Sequence, residues 1–359
     1  MRSLLYLARR ATARLALASL IAASVACDAS SSLIPAQTSA TRSITLDASA
    51  APAYLQLDDS ARLVTVADPL ASATWDMAFF ATAVSLNGGA AGPGGVQGFC
   101  FCTHQGATAA QLQAFSAVNQ MAAFDSATTA MIPAATAFSA DTLVPAISGW
   151  YTGAVGASAT PSTRSWIVRR GTTPNFLFGR FHVTAISGAS SAAPGQVTLQ
   201  WATQAVAGGV MGADQTATIT VAAGTPTYFD LTAGAVSSAS GTWDLQFRAW
   251  DIRVNSGASG SGSVRALPVD GGAYASITPA FAAGPPASVY KTDAYGGVFG
   301  GATPWYRYNI TGNDNQIWPT YDVYLVKRGT SVFKVQLTGY YDAAAQPRRI
   351  TVRYARLAR

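Results

Sequence analysis

Trp75-Asp76-Met77-Ala78-Phe79 followed by Asn87-Gly88-Gly89, and Trp243-Asp244-Leu245-Gln246-Phe247 followed by Asn255-Ser256-Gly257, are two writings of one segment. The offset is 168 at both anchors, 243 − 75 and 255 − 87. Downstream, Trp150-Tyr151 matches Trp305-Tyr306 at 155, and Val168-Arg169-Arg170-Gly171-Thr172 matches Val326-Lys327-Arg328-Gly329-Thr330 at 158. Four matches in one order are hard to reach by chance. The period is far longer than the roughly 20–50 residues of solenoid repeats, so it predicts two tandem domains with a core each, 43–206 and 213–359.

Alternation inside the repeated segment sets the fold class. Trp243, Leu245 and Phe247 fall on one side of a strand against Asp244, Gln246 and Arg248 on the other. Comparable runs lie at 53–57, 63–66, 227–231 and 251–254, separated by Gly, Pro and Ser clusters, and each copy closes with a hairpin and a last strand. No long amphipathic helix competes, so the class is mainly all-β. Each copy also carries a long divergent stretch, 90–149 and 258–304, of a length that usually bears function; part of the first, 108–130, is rich in Ala and Gln and predicts a short helix. Trp75 and Trp243 with their aspartates read as core aromatics beside a carboxylate that caps backbone.

The formal charge of +6 suggests nucleic acid until the start of the chain is set aside. Arg2, Arg9, Arg10 and Arg14 fall within the first 27 residues, which leaves 23 − 4 = 19 basic against 17 acidic residues. A nucleic-acid partner is therefore not expected. Residues 1–27 combine a basic start, an apolar run from Leu15 to Val25 and small residues before Cys27, the pattern of an export signal. Ser24-Val25-Ala26-Cys27 is similar to a bacterial lipobox, which predicts lipidation at Cys27 and, from 28 to 42, a polar tether. The expected location is the outer membrane or cell surface.

The late run Asp322-Val323-Tyr324-Leu325-Val326-Lys327, leading into Lys334-Val335-Gln336-Leu337-Thr338-Gly339-Tyr340-Tyr341, together with Trp243–Phe247 and Asp251–Gly257, resembles the HmuY-type haem-binding lipoproteins. The resemblance covers most of the second copy and, more weakly, the first. It implies a lipid-anchored β-rich protein that holds haem in inserted loops through two axial side chains, His or Met. Its partners would be haem and an outer-membrane haem importer or a host haem protein. Only the first copy's insert holds such side chains, and His104, Met121 and Met131 are the candidate axial ligands. Phe99, Phe101 and Phe115 would supply apolar contact.

Other readings of these residues stay open. Cys100, Cys102 and His104 recur every second position, one face of a strand, as a soft metal set lacking its fourth ligand. The two cysteines could equally close a disulfide in an oxidising compartment, or stay free. Met121 and Met131 also suit packing. His182, aligned with Gln336, suits a solvated strand face. Sequence motifs for hydrolases, nucleotide binding or zinc proteases are lacking, and with no Glu in the chain an enzyme is not expected. The rival to haem is a structural or adhesive surface lipoprotein of the same fold that binds a protein or glycan.

Overall fold

A computed structural model describes residues 40–358 apart from Ala61 and Ala273. Cys27, the export signal and nearly all of the tether lie outside the described residues. Strands hold 41% of the chain and helix 9%, so the protein is mainly β.

Among the described residues twenty-four strands follow in order. The first six are β1 (Arg42–Asp47), β2 (Ala53–Gln56), β3 (Arg62–Val64), β4 (Met77–Phe80), β5 (Ala83–Leu86) and β6 (Gln97–Cys100). Two short helices, α1 (Ala109–Ala114) and α2 (Met121–Ser126), occupy the stretch where a helix was expected. The middle of the chain holds β7 (Thr142–Val144), β8 (Tyr151–Thr152), β9 (Thr160–Pro161), β10 (Ser165–Arg170), β11 (Leu177–Ser187) and β12 (Gly195–Thr203). Next are β13 (Gln215–Val221), β14 (Thr227–Asp230), β15 (Ala235–Ser237), β16 (Leu245–Arg248), β17 (Asp251–Val254) and β18 (Arg265–Val269). The third helix, α3 (Pro279–Ala283), precedes β19 (Ala294–Gly296), β20 (Tyr306–Tyr308), β21 (Ile317–Pro319), β22 (Val323–Arg328), β23 (Ser331–Tyr341) and β24 (Pro347–Ala358).

Two five-stranded sheets have matching orders, β1-β24-β23-β22-β6 and β13-β12-β11-β10-β18, and each faces a four-stranded sheet, β3-β2-β4-β5 or β15-β14-β16-β17. Both pairs are antiparallel sandwiches closed by apolar inner faces. The cores, however, do not follow the chain. One gathers Leu46, Leu55, Met77, Phe79 and Leu86 with Tyr324, Val326, Phe333, Val335 and Val352, joining the start of the chain to its end. The other gathers Trp166, Phe181, Leu199 and Trp201 with Phe229, Leu245, Phe247 and Val254, all from the middle. The boundary expected between 206 and 213 therefore falls inside a sheet, where β12 pairs with β13 from Gly195↔Val221 to Trp201↔Gln215. Each front half (β1–β6 or β13–β18) is completed by the other copy's back half (β22–β24 or β10–β12). The arrangement is a reciprocal exchange within one chain, the intramolecular form of a domain swap.

The exchange is visible in the repeated Trp-Asp segment. Asp76 Oδ2 accepts the backbone N–H of Leu57 at 2.6 Å, and its counterpart Asp244 accepts that of Leu231 at 2.8 Å. Each carboxylate also meets an arginine of the other copy: Arg328 reaches Asp76 at 2.7 Å, and Arg170 reaches Asp244 at 3.4 Å. Both aspartates are buried, and desolvation pushes both pKa values up despite these partners. Gly89 and Gly257 hold φ of +60° and +64° at the ends of the turns, where a side chain would strain.

The chain crosses between the sandwiches where β7 and β19 pair antiparallel, Leu143 opposite Tyr295. Just before each crossing strand sits a buried aspartate. Asp141 Oδ2 accepts from Leu86 N at 2.8 Å and its carbonyl from Ala90 N at 2.8 Å; Asp293 Oδ2 accepts from Val254 N at 3.1 Å and its carbonyl from Ala258 N at 2.9 Å. Asp293 Oδ1 also accepts from Ala146 N at 2.8 Å. Two equivalent latches thus pin the two crossings.

Candidate functional site

The insert of the first copy lies over the outer face of the sheet made by β22, β23 and β24. Phe124 of α2 is fully buried against Val323 and Ala355, and Phe138 packs with Leu325 and Leu357. Beneath the insert runs a polar stripe. Lys334 donates to the Phe124 carbonyl at 3.1 Å and lies over that ring, with Asp125 at 3.9 Å. Gln336 donates to the Tyr321 carbonyl at 2.8 Å, and Arg353 donates to Gln336 at 3.1 Å and to the Ala117 carbonyl. Burial lowers the pKa of Lys334 and of Arg353. Gln336 is fully buried.

At the edge of this layer is His104. Its ring Nδ1 lies 3.0 Å from the carbonyl oxygen of Thr320, its backbone N–H donates to Asp322 at 2.8 Å, and its ring packs on Phe115 with centroids 4.9 Å apart. Asp322 also accepts from Gln105 Nε2 at 2.5 Å, and Arg307 donates to the Gln105 carbonyl. A carbonyl can only accept, so Nδ1 carries the proton in the neutral ring and Nε2 holds the lone pair. Metal-binding histidines are oriented by this kind of bond. Its hydrogen-bond partners, Thr320 and Asp322, lie more than two hundred positions away, which no local sequence signal could reveal.

Cys100 and Cys102 form a disulfide with Cα atoms 5.1 Å apart. An extended strand would separate such positions by about 6.6 Å, but β6 ends at Cys100 and Cys102 turns back with φ of +51°. The thiolates of the soft metal set are thereby consumed, and no group of three or more His, Cys, Asp or Glu poised for a metal occurs among the described residues. The set Cys100, Cys102 and His104 is thus not a metal site in this oxidised form.

Met121 opens α2 and is 37% exposed; Met131 sits in a short 3-10 turn and is 45% exposed. The interactions that hold His104 involve Phe115, Thr320 and Asp322 and neither methionine. Phe99 and Phe101 pack edge to face at 5.4 Å and face the satellite clusters of the insert rather than His104.

In the second sandwich the same stripe is built differently. His182 is not a solvated strand residue: its ring stacks on Tyr274 at 4.3 Å and its Nε2 meets Gln200 Oε1 at 2.9 Å. Tyr274 donates to Asp214 at 2.7 Å, and Arg180 reaches the same carboxylate at 2.9 Å. Burial, reinforced by Asp214, pushes the Tyr274 phenol up. Both nitrogen-bearing groups of this stripe are thus engaged in holding the insert down.

No family model matches the sequence, and no curated protein matches it. Among solved structures the chain is similar to one from Bacteroides vulgatus ATCC 8482 described as an HmuY_like heme binding protein, at 17% identity. The match covers 36% of this chain and 83% of that one, with a TM-score of 0.16.

Proposed function

We propose that the protein is an exported, lipid-anchored binding protein rather than an enzyme, that its ligand is haem, and that the ligand is taken at the His104 loop. The observation behind this reading is the fixing of His104 through Nδ1 on the Thr320 carbonyl, which leaves Nε2 as the donor of a half-buried imidazole beside Phe115. One axial ligand therefore fits. The second does not come ready-made, because Met121 and Met131 stand partly exposed on separate turns. Haem, when bound, supplies the iron that His104 would coordinate. The anchor at Cys27 and the tether after it would hold the body at the outer membrane, where an importer or a host haem protein exchanges the ligand.

The adhesive reading, with a protein or glycan partner, is favoured by one observation: the second copy's insert has neither His nor Met, and its fold survives without them. Titrating the mature chain with haemin separates the two. A Soret shift with saturable binding is expected, weakened about tenfold or more in His104→Ala, as loss of a coordinating group implies. Absence of binding by the folded wild type, or an unchanged spectrum in His104→Ala, would overturn the site.

A further inference from the structure

Among the described residues most buried or half-buried basic side chains have an aspartate partner. Arg170 faces Asp244, Arg180 faces Asp214, Arg328 faces Asp76 and Lys334 approaches Asp125. Arg307, Lys327 and Arg353 have none, and neither has Arg169. It is 6% exposed, and its side chain makes no hydrogen bond or ion pair with any described residue; its guanidinium carbon lies between two rings, 4.3 Å from the centre of Phe176 and 4.5 Å from that of Tyr290. Arg353, just as buried, donates instead to Gln336 and Ala117. None of the Arg169 nitrogens is among the sealed, unpartnered polar atoms, so its fork reaches the surface.

Directly opposite Arg169 across the β10·β18 ladder stands Arg265, exposed at the rim. Like charges facing each other across a pair of strands repel. The Arg169 donors meet no acceptor among the described residues and are left to the solvent edge. Burial and Arg265 both lower the Arg169 pKa, and no carboxylate opposes them. The equivalent place in the other sandwich lacks this pairing: Lys327 lies over Phe138 at 5.5 Å, and its cross-strand neighbour is the neutral Gln97.

We propose that Arg169 and Arg265 form a binding site for a doubly charged oxyanion, inorganic phosphate or the terminal phosphate of a monoester. Phe176 and Tyr290 hold the Arg169 fork flat by cation–π contact, and its planar donors match tetrahedral oxygens in bidentate fashion. Arg265 closes the site from the solvent side. This site is on the second sandwich and does not depend on His104.

The test is thermal melting and titration calorimetry of the mature full-length chain with inorganic phosphate and, separately, phenyl phosphate, ionic strength being held constant with sodium chloride. Phosphate should raise the melting temperature in a saturable way that chloride does not reproduce. Tighter binding of phenyl phosphate would identify a monoester end as the natural source, and tighter inorganic phosphate the free ion. Arg265→Gln, at an exposed position, leaves the fold intact and should weaken binding about tenfold or more, the effect of losing a charge-assisted bond. Arg169→Gln should abolish it, whereas Arg248→Gln, at another exposed arginine, should bind as wild type does. No phosphate-specific effect in the wild type, or undiminished binding by Arg265→Gln, overturns the proposal; the Arg265 arm decides even if Arg169→Gln does not fold.

Discussion

Cutting the chain where the repeat suggests, and cutting it where the cores divide, should give opposite results. A fragment of residues 43–206 keeps β1–β6 but loses β22–β24, and with them nine core side chains: Tyr324, Val326, Phe333, Val335, Leu337, Tyr340, Ile350, Val352 and Tyr354. At about 2 kcal/mol for each buried apolar side chain, the loss is on the order of 20 kcal/mol, beyond the roughly 5–15 kcal/mol that holds a domain folded. Residues 145–293, by contrast, contain the whole second core, with the latch of Asp293 on Val254 and Ala146 intact. That piece should be monomeric, β-rich by circular dichroism and cooperative on melting. The complement is made by joining Val144 to Ala294, which are paired positions of β7 and β19, through a turn of about two to four residues of the Asn-Gly type. It should melt cooperatively too. A cooperative melt of monomeric 43–206, which would require its own β10–β12 to replace β22–β24, or a molten 145–293, would refute the exchanged arrangement.

Three further outcomes follow from individual side chains. In a double-mutant cycle, Asp76→Asn and Arg328→Met should couple by roughly 1 kcal/mol, discounted for the partial exposure of Arg328, while Asp76→Asn and Arg170→Met should add independently; coupling to Arg170 instead would place the halves unexchanged. Asp141 has its pKa raised to about 6 by burial, with the Leu86 N–H opposing. A raised carboxylate pKa contributes stability that is full below the unfolded value near 4 and lost as pH climbs through 6, so Asp141→Asn should be at a greater disadvantage to wild type at pH 4 than at pH 7, recovering about 2 kcal/mol of that difference over the interval in urea unfolding. A pH-independent difference would show that Asp141 ionises normally. Replacing Cys100 and Cys102 together by Ser opens a loop of only three residues, so the cost should stay within about 2 kcal/mol, and haemin binding should persist if His104 is held by Thr320 and Asp322 rather than by the disulfide.

Much of the fold was legible in the chain itself. Alternation in Trp243–Phe247 and its earlier copy named the buried faces, Asn87-Gly88-Gly89 and Asn255-Ser256-Gly257 named the turns, and the Ala- and Gln-rich insert pointed to helix, though as one short helix where two form, because these features are governed by neighbours close in sequence. The candidate site was legible only as residue types. His104 could be singled out by its chemistry, but Thr320 and Asp322, which orient it, are contributed by the far end of the chain. The Arg169–Arg265 pair gave no sequence signal, since only the ladder β10·β18 sets the two opposite one another and only the folded structure shows that no aspartate among the described residues pairs with Arg169. The repeat likewise pointed to two β-rich units of one kind. It could not determine which halves make each, because a front half meets the same apolar face in its own back half as in the other copy's. That choice rests on the path of two short segments, Asp141–Val144 and Asp293–Gly296, whose extended pairing carries the chain across rather than back, and such a path is fixed by tertiary contacts and not by local residue preference.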